Sequence, residues 1–118
     1  MERFENAVAI VTGGGMGLGE ALCEELGRRG ATVVVADIYG DAARAVAGRL
    51  AQAGTSAVAV PVDVANQIEV ARLIENTVTE YGRVDYMINN AGIAIGGDSR
   101  DLSMQQWRRF WAARPPIW

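Results

Sequence analysis

A chain of 118 residues, 50% of them hydrophobic and 21% charged, has enough apolar surface to pack one domain spanning residues 1–118, and too much of it to stay disordered. The net charge of −3 and the scatter of its 11 basic residues, all arginine, speak against a nucleic-acid partner, because a phosphate-backbone binder concentrates positive charge. Cys23 is the sole cysteine and histidine is absent, which excludes an internal disulfide and the usual metal-ligand spacings and fits a reducing cytoplasm.

Met1 leads into Glu2, Arg3 and Glu5 rather than into a basic segment and an apolar core, so no secretory leader is expected. The run Ala7 to Thr12 reads as a first strand. After it come Gly13-Gly14-Gly15-Met16-Gly17-Leu18-Gly19 and a helical pattern with Leu18, Leu22 and Leu26 on one face and Glu20, Glu24 and Glu25 opposite. Cys23 falls beside that apolar stripe, where a buried, inert thiol is expected. Thr32 to Ala36 reads as a second strand and Ala42 to Ala53, with Val46 and Leu50, as a second helix. Ala57 to Val62 is the third strand. Val70, Leu73, Ile74 and Val78 then alternate with Glu69, Arg72, Glu75 and Glu80 in a third helix, and Val84 to Ile88 is the fourth strand. Gly30, Gly54 and Gly82 each follow a last helical turn, the place of a left-handed cap.

The four strand runs are apolar at nearly every position, so each is expected to be buried on both faces of a parallel sheet. Strand alternating with helix predicts an α/β fold, a Rossmann-like doubly wound parallel sheet of strand order 3-2-1-4, with ligands at the carboxyl ends near the switch between strands 1 and 4. A polar, Gly-rich loop from Gly92 to Asp101 precedes a trailing helix, with Ser103 and Gln106 as its capping box and Pro115-Pro116 as its stop. The longest apolar runs, Ala31 to Ala36 and Ala57 to Val62, are too short to span a bilayer. Trp107, Phe110 and Trp111 beside Arg108 and Arg109 read as a packing face rather than a lipid anchor, so no membrane partner is expected.

The glycine string carries the chemistry. A loop that lets a pyrophosphate lie against its backbone needs residues without Cβ, and the helix start beyond it offers unpaired N–H groups and the positive end of the dipole. An ordinary turn is the competing reading of the glycines by themselves. Their spacing is Gly-x-x-x-Gly-x-Gly with Thr12 immediately before, not the common Gly-x-Gly-x-x-Gly.

On these residues the chain resembles the short-chain dehydrogenase/reductase family, whose members carry Thr-Gly-x-x-x-Gly-x-Gly in this loop. Three more landmarks match in order up to about Ala112: Asp37 ending the second strand, Asp63-Val64 after the third, and Asn89-Asn90-Ala91-Gly92 after the fourth. The resemblance implies that Gly13, Gly15, Met16, Gly17, Leu18 and Gly19 receive the cofactor pyrophosphate. Asp37, about twenty residues past the glycines, and its neighbour Ile38 are placed to meet the adenosine ribose. Asp63 with the Val64 backbone would hold the adenine amino group, and Asn90, Ala91 and Gly92 would line a cofactor ribose. For Asp37 a solvated helix cap is the alternative, and for Asp63 an N-cap of the helix starting near Asn66. The cofactor expected is NAD: a 2′-phosphate would be repelled by Asp37, and Ile38, Tyr39 and Met16 offer no cation to offset it.

The same resemblance exposes a gap. In the family, hydride transfer depends on a Ser, a Tyr and a Lys four residues after the Tyr, all beyond the fourth strand, with an Asn from the helix after that strand. The tyrosinate acts as acid or base and the ammonium lowers its pKa. This sequence has no lysine, and Tyr39, Tyr81 and Tyr86 all precede the required region. Arg114-Pro115-Pro116 stands where the Asn is due, as a truncated or frameshifted reading frame would leave it. The expectation is a cofactor-binding portion of an NAD-dependent alcohol or carbonyl oxidoreductase, inactive by itself, with no catalytic and no metal-binding residue; only a complete form would take an alcohol or carbonyl substrate. A stand-alone, non-catalytic NAD-binding module is the alternative. Self-association through the open edge of the fourth strand, altered by charge at Tyr86 or Ile88, is also expected.

Overall fold

The computed structural model describes residues 4–90. It contains β1 (Val8–Thr12), α1 (Gly17–Arg28), β2 (Thr32–Asp37), α2 (Gly40–Gln52), β3 (Ala57–Pro61), α3 (Gln67–Tyr81) and β4 (Tyr86–Asn89). All strand pairings are parallel, in the order β3-β2-β1-β4. The expected trailing helix, its Ser103–Gln106 capping box, and the site residues Ala91 and Gly92 lie outside the described residues.

Alternation along the two central strands explains why their sequences are apolar throughout. Successive residues of a strand point to opposite faces. Ala9, Val11, Val33 and Val35 pack on one face with Cys23 and Leu26 of α1 and Ala43, Val46 and Leu50 of α2. Ile10, Val34 and Ala36 pack on the other with Leu73 and Ile74 of α3, joined by Val62, Val84 and Met87. A strand sandwiched between helix layers has no polar face to show, and every residue of β1 is buried.

The outer strands depart from the sequence expectation of two buried faces. β3 and β4 are only half-buried, with Val58 and Tyr86 exposed. Among the described residues β3 and β4 each have a neighbour on one side alone, and both lie at the margin of the helix layers. Gly30, Gly54 and Gly82 follow the three helices with φ of 94°, 93° and 85°, as expected. α2 begins at Gly40, two residues before the expected Ala42, which brings Asp41 into its first turn, where the dipole favours an acid.

β4 begins at Tyr86 rather than Val84, because Asp85 is engaged in anchoring the strand. Its backbone N–H donates to Val8 O at 2.9 Å, and its Oδ2 accepts the Val8 N–H at 2.8 Å. Arg83 donates to Oδ1 through Nε at 3.0 Å and Nη2 at 2.6 Å. These bonds, the Arg83 pair foremost, hold the Asp85 carboxyl below the ordinary carboxylate range. A depressed folded pKa contributes stability that is fully present above the unfolded value, about 3.9, and is lost as pH falls through the folded value. Asp85→Ala also strands the N–H of Val8, a buried residue, at a cost of roughly 1–3 kcal/mol. Thermal melts should therefore show Asp85→Ala lowered at pH 7, with the gap to the parent narrowing as pH falls below about 4. A gap independent of pH would rule out the carboxylate as the source.

Candidate functional site

The carboxyl ends of β1, β2 and β4 converge on the glycine loop. Gly13 and Gly17 both adopt positive φ, 67° and 59°, which turns the chain sharply out of β1 and into α1. The loop is tied on three sides. The Gly14 N–H donates to Ala36 O at 3.1 Å, the Gly15 N–H to Asp37 Oδ2 at 3.0 Å, and Asn90 Nδ2 to Gly13 O at 3.3 Å. Below it, the Thr12 hydroxyl donates to Ile88 O at 3.2 Å and joins β1 to β4.

The start of α1 is left open to an anion. Its N-cap, Met16, makes no side-chain cap bond, so the first N–H groups of the helix lack the acceptor a polar cap supplies. α3 differs: the Asn66 side chain accepts from the Ile68 and Glu69 N–H groups. Among the described residues, apart from its own chain neighbours and helix backbone, no atom lies within 4 Å of the place a Cβ on Gly17 would occupy. A helix start without a side-chain cap beside a glycine-rich loop suits a pyrophosphate, and the residues present fit a dinucleotide.

Asp37 is not the solvated cap of the alternative reading. It is 5% exposed, Tyr39 is the N-cap of α2, and the carboxylate bonds the Gly15 and Tyr39 N–H groups, the latter to Oδ1 at 2.9 Å. Ile38 and Tyr39 beside it are exposed, as are Met16 and Leu18 on the loop, giving apolar surface around the mouth. Asp63 is not the N-cap of α3 either, since Asn66 holds that position. Its Oδ1 accepts the Ala65 N–H at 2.9 Å and its own N–H donates to Glu69 Oε1 at 3.0 Å. The Val62 N–H to Asp37 O bond of 3.0 Å ties the chain between β3 and the Asp63-Val64 turn to the end of β2.

Direct bonds thus bring Gly13, Gly15, Asp37 and Asn90 together, with Met16, Gly17, Leu18, Gly19 and Ile38 around them and Asp63-Val64 one strand further out. Three nearby residues have no contact assigned to them from sequence, Thr12 and Asn89 being named only as parts of motifs. Thr12 is one, and a lone hydroxyl ending an apolar strand was its signal. Glu69, bonding the Asp63 N–H, was legible only as a helix-face acid. Asn89 is the third: its Nδ2 is buried and without a hydrogen-bond partner among the described residues. Cys23 lies fully buried beneath Gly14, and burial, reinforced by Glu24 and Glu20, pushes its thiol up to about 12, so it stays protonated. Among the described residues no three His, Cys, Asp or Glu side chains gather as a metal site, and no helix is long and apolar enough to cross a membrane.

A doubly wound parallel sheet with a glycine loop at its switch point and an acid ending the second strand is the architecture of the dinucleotide-binding fold class. The family profile of the short chain dehydrogenases matches residues 7–113, and the chain belongs to that family. It is 36% identical over 108 residues to meso-2,3-butanediol dehydrogenase of Serratia marcescens, covering 92% of this chain and 42% of that enzyme. It is 44% identical over 95 residues to tropinone reductase-like 2 of Erythroxylum coca, covering 80% of this chain and 34% of that protein. A solved 7α-hydroxysteroid dehydrogenase, complexed with NADH and 7-oxo glycochenodeoxycholic acid, superposes with a TM-score of 0.75 at 32% identity, over 92% of this chain and 42% of that one. The chain spans less than half the length of each of these relatives.

Proposed function

We propose that the chain binds NAD at the glycine loop as the cofactor-holding portion of a short-chain dehydrogenase whose complete form interconverts an alcohol and a carbonyl. The observation that carries this reading is the buried Asp37 carboxylate, bonded to the loop at Gly15. In this assignment the α1 N-terminus and the backbone of residues 13–19 receive the pyrophosphate, and Asp37 accepts from the adenosine ribose hydroxyls. Asp63 and Val64 meet the adenine, and Asn90, with Ala91 and Gly92 following it in sequence, lines a cofactor ribose. When bound, the nicotinamide supplies the hydride acceptor or donor. The relatives' names, a butanediol and a hydroxysteroid dehydrogenase among them, support an alcohol–carbonyl substrate class, and the NADH in the hydroxysteroid enzyme supports the cofactor.

NAD is favoured over NADP on charge. Asp37 would repel a 2′-phosphate, its neighbours Ile38 and Tyr39 are uncharged, and Arg44 on α2 is paired with Asp41 at 2.7 Å. A polypeptide of these 118 residues, having no lysine, binds without turning over; this composition is also what favours the second reading, a non-catalytic NAD-binding module. Calorimetric titration should show NAD binding tighter than NADP by about tenfold or more, the worth of one charged hydrogen bond, while an alcohol added with NAD yields no NADH. NADP binding as tight as NAD would overturn the cofactor assignment, and sustained NADH formation would overturn the inactivity.

A further inference from the structure

The Asp37 carboxylate holds backbone as well as facing the site. Both of its oxygens already accept backbone N–H groups: Oδ2 from Gly15 at 3.0 Å, across 22 positions of sequence, and Oδ1 from Tyr39 at 2.9 Å. The Gly15 bond is buried, and its geometry is tight. A Cβ on Gly15 would stand 2.9 Å from Asp37 Oδ2 and 2.9 Å from the Ala42 Cβ of α2, so the loop is pressed against the end of β2 and the first turn of α2. Charge-assisted bonds of this kind are the strong ones, and a loop already held in its binding shape loses less entropy when the ligand binds.

We infer that Asp37 is a positioning residue for the glycine loop, locking Gly15 in place in the nucleotide-free protein, in addition to any contact it makes with a ribose. The inference rests on the reading of that loop as a pyrophosphate site. One carboxylate then serves two tasks: each oxygen keeps a lone pair for a hydroxyl while the other lone pair holds backbone. A substitution aimed at NADP that removes Asp37 also unlocks the loop. Asp37→Ala is therefore expected to weaken NAD without raising NADP affinity to the level the parent chain shows for NAD.

Ligands that lack the ribose hydroxyls separate the two tasks. Binding of ADP and of 2′,3′-dideoxy-ADP to the 118-residue chain should be measured for the parent, Asp37→Ala and Asp37→Asn, alongside hydrogen–deuterium exchange resolved to the Gly15 amide in ligand-free protein. If Asp37 only reads hydroxyls, the parent and Asp37→Ala bind dideoxy-ADP alike. The lock instead requires Asp37→Ala to bind dideoxy-ADP about three- to tenfold more weakly than the parent, the scale of one lost hydrogen bond. It also requires the Gly15 amide to exchange faster while amides of α2 stay protected, and Asp37→Asn, which keeps one acceptor oxygen, to recover part of both. Equal dideoxy-ADP affinities with unchanged Gly15 exchange overturn it. Should Asp37→Ala not fold, the parent decides alone: a Gly15 amide exchanging as fast as an unstructured one overturns the lock, and a protected one upholds it. If the parent binds neither ADP nor dideoxy-ADP, the nucleotide-site reading fails, and the exchange measurement still rules on the lock.

Discussion

Gly19→Ala is expected to remove dinucleotide binding, lowering affinity by about a hundredfold or more, and to destabilise the fold by roughly 1–3 kcal/mol, the usual cost of forcing an extra methyl into a packed site. The added Cβ would stand 1.9 Å from Gly13 O, 2.7 Å from Gly13 C and 2.9 Å from Asn90 Nδ2. Two of these atoms are backbone, so no side-chain rotation relieves the overlap; the first turn of α1 and the loop must part. That separation displaces the helix N–H groups from the loop they flank. Gly17→Ala is the informative partner. Its Cβ meets no atom within 4 Å among the described residues beyond its own neighbours and helix, but sits at φ +59°, a strain of roughly 1–2 kcal/mol for a residue with a side chain. Calorimetry and thermal melts should show Gly17→Ala losing binding because the methyl stands in the open space before the loop, with no packing clash. Gly19→Ala retaining parental NAD affinity would mean that the helix start is not part of the site.

A polypeptide of these 118 residues is expected to self-associate at micromolar concentration through the outer edge of β4. Among the described residues that edge has no neighbour, since β4 pairs only with β1. A strand edge with free N–H and C=O groups recruits another strand. Each such group left unpaired away from water costs roughly 1–3 kcal/mol, which is large beside a total stability of about 5–15 kcal/mol. Tyr86 at the start of β4 is 40% exposed, with its ring 5.2 Å from that of Phe4. Tyr86→Glu should shift the population toward monomer, because inserting charge on an edge strand opposes pairing. The sequence suggested Ile88 as an equivalent site; the structure corrects this, as Ile88 packs against the core of Ala9 and Val11, where a charge would damage the fold itself. A single monomeric boundary in sedimentation velocity for the parent would show the edge already closed.

Element types and their order were legible because the periods are strong. Ile10 and Val34 needed no neighbours to be recognised as buried, since an unbroken apolar strand between helical segments has helices on both sides. β3 and β4 were read as equally buried and are not. Their composition resembles that of β1 and β2, and only position in the sheet separates a central strand from an outer one. The site shows the same division. Thr12 with glycines at 13, 17 and 19 and an acid at 37 marked a candidate cradle through their order and their resemblance to a family loop, an ordinary turn being the alternative for the glycines by themselves. The cap of α3 did not follow in the same way, because Asp63 and Asn66 are both good capping residues. The choice of Asn66 is visible only in which side chain reaches the Ile68 and Glu69 N–H groups.

By itself the amino-acid sequence determined the α/β class, the strand order, the family, and the lack of any lysine to serve as the family's catalytic base partner, because each follows from local pattern, motif spacing or composition. Tertiary structure alone decided that Asp37 is buried and bonded to Gly15, that Asp85 pins β4 to β1, and that Gly19 abuts the Gly13 carbonyl. These are contacts between segments distant in sequence. Which lone pair meets which N–H depends on how the layers pack, and residue identity does not encode it.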